Sequence, residues 1–147
     1  MFTYTRKVQY HETDKMGITH HSNYVKWMEE ARVAWLESIG YPYQVIEGMG
    51  IASPVTGLEI SYKHPTTFGD VVEIETAISK YTGVKLEVSY TIRNITTGTV
   101  AAIASSKHCF MKGGKIISLK REEPDMHEAF MNETVSGSSL PGVECTQ

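Results

Sequence analysis

Hydrophobic and polar residues along this chain repeat with two different periods, which divide it into one long helix and a run of strands. Over Asn23 to Ile39 the apolar side chains recur at helical spacing. Tyr24, Trp27, Met28, Ala31, Ala34, Trp35 and Ile39 fall on one face, and Lys26, Glu30 and Glu37 on the other. Val25 and Leu36 widen the apolar surface, so more than a narrow stripe must be buried. From about Leu58 to Leu119 the period is two. Leu58, Ile60 and Tyr62 alternate with Glu59, Ser61 and Lys63, and Val72, Ile74 and Ile78 with Glu73, Glu75 and Ser79. Val84, Leu86, Val88, Tyr90 and Ile92 alternate with Lys85, Glu87, Ser89, Thr91 and Arg93. Such segments are antiparallel strands with one dry and one wet face. Phe2 to Tyr10 has the Tyr, Thr and Val content of a further strand, and Val100 to Met111 reads as a long one.

Punctuation supports these limits. Ser22 is placed to cap the helix N-terminus, and Gly40 with Pro42 beyond it to end the helix. Glu29 and Arg32 are spaced to pair along the helix. A short second helix is predicted over Tyr43 to Glu47. Thr82-Gly83, Thr97-Gly98 and Gly113-Gly114 mark turns between strands. One helix of about 25 Å and about five antiparallel strands must share a core. The economical arrangement is α+β, a curved sheet wrapped around the helix, with Trp27 and Trp35 filling the concavity. The predicted organisation is one domain over residues 1–123, then a tail over 124–147. In that tail Pro124 to Met131 makes a short helix, and the Ser-, Gly- and Thr-rich remainder is too poor in apolar residues to order itself.

Composition narrows the function classes. A formal charge of -3 offers no concentrated basic face for nucleic acid. No apolar run is long enough to span a membrane, and the first residues carry no signal-peptide core. Two cysteines, Cys109 and Cys145, give no disulfide framework, so a cytoplasmic setting is expected. The six histidines include the adjacent His20 and His21 but no His-x-x-x-His spacing, so no metal site is expected. His64 and His108 read as structural or exposed, and Lys63, Lys85, Arg93 and Lys107 as solvated strand charges.

The stretch Glu12-Thr13-Asp14-Lys15-Met16-Gly17-Ile18-Thr19-His20-His21-Ser22-Asn23-Tyr24 carries the candidate chemistry. It sets a carboxylate in a tight loop that runs directly into a helix N-terminus, where unpaired amides and a positive dipole end lie. A carboxylate can attack or activate water, and such amides can hold an oxyanion, which together make an acyl-transfer site. By itself the pattern is weak. An Asp followed by Lys-Met-Gly is more often a turn residue accepting local amide bonds.

The same stretch, continued by Val25-Lys26-Trp27-Met28-Glu29-Glu30-Ala31-Arg32, resembles the signature of the 4-hydroxybenzoyl-CoA thioesterase branch of hotdog-fold proteins. The matching elements are Thr13-Asp14, Gly17, His20-His21, Asn23-Tyr24 and the Glu29…Arg32 pair. Tyr62-Lys63-His64-Pro65 with Phe68-Gly69-Asp70 is similar to the family's strand-turn-strand segment, and the resemblance runs from Thr3 to Leu119. It implies a five- or six-stranded antiparallel sheet around a central helix, in homodimers or homotetramers with sites between protomers. It also implies hydrolysis of an acyl-CoA with no separate cofactor, the CoA being part of the substrate. The resemblance places the catalytic carboxylate at Asp14 and the carbonyl-polarising backbone amide at His21, where a histidine is similar to the YbgC-like subgroup. It places Gly17, Asn23, Tyr24 and Trp27 at the substrate. Two other readings are a hotdog hydratase or dehydratase, whose His-Phe-Pro-type loop is missing here, and a non-catalytic acyl-CoA-binding domain. Thiol release separates hydrolysis from both.

Overall fold

The computed structural model describes residues 1–138. The chain opens with β1 (Phe2–Lys7), which is shorter than the β-rich segment predicts. It stops because Val8 turns aside to exchange backbone bonds with the Gly69-Asp70 corner, and a single 3-10 turn follows at Tyr10–Glu12. The long helix α1 (Asn23–Ser38) forms where its period places it. A short α2 (Tyr43–Gly48) and β2 (Ile51–Ala52) lead into β3 (Val55–Tyr62), β4 (Val71–Tyr81), β5 (Lys85–Asn94) and β6 (Thr99–Cys109). The strand expected to run to Met111 breaks at Phe110. β7 (Met111–Lys112) and β8 (Lys115–Ile116) form the hairpin predicted at Gly113-Gly114, and they join β2 in a small separate sheet that the sequence pattern did not indicate.

The main sheet has the order β1-β4-β5-β6-β3, with every pairing antiparallel. This is the α+β hotdog arrangement, a five-stranded antiparallel sheet with the helix against one face. Directly opposed residues of an antiparallel pair share a face, and that face carries the core. Val72, Ile74 and Ile78 of β4 and Leu86, Val88, Tyr90 and Ile92 of β5 are buried beside Tyr24, Trp27, Met28, Ala31 and Trp35 of α1. Burying each such side chain contributes about 1.5–3 kcal/mol, which makes this layer the main source of cohesion. Across β6 the same face carries Ala102, Ala104 and Ser106 before His108, and the register sets the first three against Tyr62, Ile60 and Leu58 of β3. Helix α1 packs over β1 and β4. The β6-β3 side of the face is therefore a shallow trough, with Tyr62 48% and Leu58 44% exposed.

The C-terminal segment is more ordered than predicted. After α3 (Leu119–Glu122), α4 runs from Pro124 to Ser138, well beyond Met131. Met126 and Phe130 are buried, and the Phe130 ring lies 5.4, 5.5 and 5.9 Å from Trp35, Tyr81 and Phe110. A helix seated in an aromatic cluster outweighs the polar composition of its outer face. The remainder of the predicted mobile tail, 139–147, lies outside the described residues.

Candidate active site

The loop between β1 and α1 is a small closed hairpin. Thr13 and Thr19 form an antiparallel bridge, as do Ile18 and Thr67. Asp14 donates its amide to the Ile18 carbonyl (2.9 Å) and accepts from the Gly17 amide (2.9 Å). Gly17 closes that turn with φ near 80°, a conformation that disfavours side chains. The Asp14 carboxylate is exposed. Its Oδ1 accepts the Met16 amide at 2.8 Å, so the aspartate does play the local turn role its sequence neighbours suggest. Among the described residues Oδ2 has no hydrogen-bond partner, which leaves one carboxylate oxygen open to solvent.

The start of the helix differs from its expected capping. Ser22 has helical backbone angles and makes no side-chain cap; its amide and hydroxyl both face His20 Nδ1, at 3.3 and 2.8 Å. Adjacent imidazole draws the hydroxyl away from the orphan amides. The Asn23 and Tyr24 amides already pair with the carbonyls of His20 (3.0 Å) and His21 (3.3 Å). Of the amides leading into α1, that of His21 has no acceptor among the described residues. Its carbonyl accepts from the Tyr62 hydroxyl at 3.1 Å, and the Tyr62 ring lies edge-on to the His21 ring and 5.2 Å from Tyr24. Tyr62 is thus a site residue that sequence reading passed over; it stood in the matched strand segment, but nothing in its spacing showed which backbone it would reach.

Three residues expected at the substrate are buried in this chain and build the loop. Trp27 is 0% exposed, and its indole N–H donates to Glu12 Oε2 at 2.9 Å. The Tyr24 hydroxyl meets Thr66 Oγ1 at 3.2 Å, and Thr66 in turn meets Thr19 Oγ1 at 2.6 Å. Asn23 donates its side-chain amide to the carbonyls of Glu12 (3.0 Å) and His20 (3.2 Å). Asp14, Gly17 and His21 remain at the surface.

Glu12 ties these parts together. It is 4% exposed and accepts from Arg6 Nη1 (2.8 Å), the Gln9 amide (2.8 Å) and Trp27 Nε1 (2.9 Å). Burial alone would push its carboxyl pKa up; the Arg6, Gln9 and Trp27 hydrogen bonds outweigh that and hold it below the usual range. The Arg6 guanidinium lies 4.9 Å over the Trp27 ring and also pairs with Glu30 at 2.9 Å. The Glu12 backbone carbonyl accepts the His20 amide at 2.8 Å. The same residue therefore holds β1 to the helix and the helix to the hairpin.

At the other end of the trough, the expected Glu29–Arg32 pair does not form. Arg32 instead donates Nη1 to the Tyr90 hydroxyl at 3.0 Å. Tyr90, Ser106 and His108 continue as a buried chain, with 2.6 Å between Tyr90 and Ser106 oxygens and 2.7 Å from Ser106 to His108 Nε2. A buried hydroxyl lacking other donors attracts the guanidinium more strongly than a carboxylate that water can solvate. Burial, followed by the nearby Arg32 charge, lowers the His108 pKa to about 4, against an opposing contribution from the Ser53 backbone. Among the described residues no cluster of His, Cys, Asp and Glu is arranged to hold a metal ion, and no helix is long and apolar enough to cross a membrane.

The sheet order and its packed helix are those of a hotdog-fold thioesterase. Residues 8–133 match the sequence profile of the thioesterase-like superfamily, and the chain belongs to that family. It is similar to YneP of Bacillus subtilis (strain 168), at 39% identity over 126 residues, 84% of this chain and 91% of that one. It is 29% identical over 94 residues to the acyl-CoA thioester hydrolase YbgC of Escherichia coli O6:H1, spanning 64% and 70% of the two chains. Among solved structures it superposes on the DHNA-CoA thioesterase of Staphylococcus aureus with a TM-score of 0.87 at 33% identity, covering 93% of each chain.

Proposed function

We propose that this protein hydrolyses an acyl-CoA thioester to a free carboxylic acid and CoA, with Asp14 and the His21 amide as the reacting pair. The observation that carries the reading is the His21 N–H, left without an acceptor between a hairpin that displays Asp14 and a tyrosine that holds the His21 carbonyl. A thioester carbonyl has little resonance stabilisation. Its reaction needs a nucleophile and a donor for the oxygen as negative charge develops there. One well-aimed oxyanion donor contributes about 2.7–4 kcal/mol to such a step. In the general-base form, Asp14 Oδ2 takes a proton from water, the hydroxyl oxygen adds to the carbonyl carbon, and the C–S bond breaks. CoA then leaves as thiolate and is protonated. In the nucleophilic form Oδ2 itself adds, CoA departs, and water hydrolyses the mixed anhydride. The roles of Asn23, Tyr24 and Trp27 in this scheme are to fix the loop, and Gly17 gives it its turn.

The expected partner is a second copy of the chain. β3 is an open sheet edge whose exposed Val55, Leu58 and Tyr62 are suited to burial against another protomer. Such an assembly would enclose the trough, and homodimers or homotetramers both satisfy it.

Asp14→Asn tests the assignment. Thiol release should fall by at least about a thousandfold while CoA binding, followed by calorimetry, persists. Near-normal turnover by that variant would remove Asp14 from the mechanism. Single-turnover hydrolysis in ¹⁸O-water separates the two forms: label in the Asp14 carboxylate marks attack, and label confined to the product acid marks general-base action.

A further inference from the structure

We propose that Arg32 binds a carboxylate at the far end of the acyl group, so that the preferred substrates are CoA monothioesters of medium-chain dicarboxylic acids. The inference rests on the thioesterase reading above and specifies its substrate class.

The trough has two ends, and the register locates both. At one end Tyr62 faces His21 and Tyr24. At the other, Leu58 lies directly opposite Ser106, which is joined through the Tyr90 hydroxyl to Arg32. Two independent rulers give the separation. Four residues of β3, from Tyr62 to Leu58, span about 13 Å. Eight residues of α1, from Tyr24 to Arg32, span about 12 Å. The floor between the ends is Ala102 and Ala104, side chains too small to fill it.

The far end carries a charge without a counterion. Arg32 is partly buried, and among the described residues no carboxylate lies within ion-pair distance of it. One of its five N–H groups is engaged, by Tyr90. The chain behind it cannot compensate the charge. His108 is neutral near pH 7, so with Arg32 donating to Tyr90, the Tyr90 hydroxyl donates to Ser106 and Ser106 to His108 Nε2. Every link is a neutral group whose acceptor is already used. The chain therefore fixes one edge of the guanidinium and leaves its other donors without a protein acceptor among the described residues. A planar, partly desolvated guanidinium with free donors matches a carboxylate in geometry and charge. Since Leu58, Ile60 and the two alanines line the way, the connecting segment of the ligand must be apolar.

The test compares thiol release by the purified full chain from octanoyl-CoA and from the CoA monothioester of octanedioic acid, which differ only at the distal end. The wild type should favour the diacid thioester in kcat/KM by about tenfold or more, the range of a hydrogen bond to a charged group. Arg32→Gln should bring the ratio of the two values close to one, and Arg32→Lys should keep part of the preference. Equal kcat/KM values for the wild type overturn this proposal while leaving the hydrolase reading intact. Absence of thiol release from both thioesters overturns the two together. Loss of assembly in Arg32→Gln, with both substrates slowed alike, overturns it by assigning the guanidinium to an acid of a second copy.

Discussion

Acidification should unfold this protein partly through one buried imidazole. His108 is 4% exposed and hydrogen-bonded through Nε2 to Ser106, and its pKa falls from the ordinary 6.5 to about 4. The folded state holds the ring neutral over a range in which the unfolded chain takes up a proton. The stabilisation is therefore complete above about pH 6.5 and is lost as pH falls towards 4. At 1.36 kcal/mol per pH unit, the full loss is about 3 kcal/mol, a large fraction of the stability of an ordinary domain. His108→Gln is the matched perturbation, because its side-chain oxygen can accept from Ser106 near the Nε2 position and does not titrate. Urea unfolding at matched protein concentration, from pH 7.5 down to pH 4, gives both curves. The wild type should lose about 3 kcal/mol more than the variant across that interval, and carboxylates common to both proteins cancel. Parallel curves would show that His108 charges as readily in the folded state as in the unfolded one, and would refute the argument from burial.

Two further outcomes follow from the geometry. Glu12→Gln should destabilise the fold by about 3 kcal/mol in urea titrations, since it leaves the Arg6 guanidinium without its buried counter-charge; a loss below about 0.5 kcal/mol would place that pair among weak surface contacts. Leu58→Asp on the open β3 edge should dissociate the assembly in sedimentation velocity runs, and a wild-type chain that is already monomeric at micromolar concentration would rule the edge out as an interface.

Sequence periodicity was a good guide wherever one side of an element is dry. The face of α1 carrying Tyr24, Trp27, Met28, Ala31 and Trp35 is buried as its spacing required, and so is the alternating series of β5. The Asp14 hairpin was legible for a local reason, a turn residue and a glycine standing before a helix. What remained hidden depends on partners far along the chain. Arg32 is three residues from Glu29 but bonds to Tyr90, 58 positions away. Tyr62 reaches His21 across 41 positions, and Trp35 donates to Glu133 across 98. Glu12 was given no role of its own in the loop stretch, because nothing in its vicinity announces that Arg6 and Trp27 converge on it. Register and strand order create these meetings, and a pattern of period two fixes which face a residue occupies without fixing its neighbour across the sheet. α4 runs past Met131 for a related reason: the helix predicted over Pro124 to Met131 is anchored by Phe130 against Trp35, Tyr81 and Phe110, partners that lie far away along the chain.

The double attachment at Glu12 has a bearing on how such a protein could be altered. Its carboxylate belongs to the interior and its carbonyl to the reactive loop, so no substitution can repack the first without disturbing the aim of the second. Attempts to raise heat tolerance by redesigning the Arg6–Trp27 seam would be expected to shift turnover as well. Variation confined to Ala102 and Ala104 escapes that linkage, which leaves the acyl floor as the place where selectivity can drift while the reactive geometry stays constant.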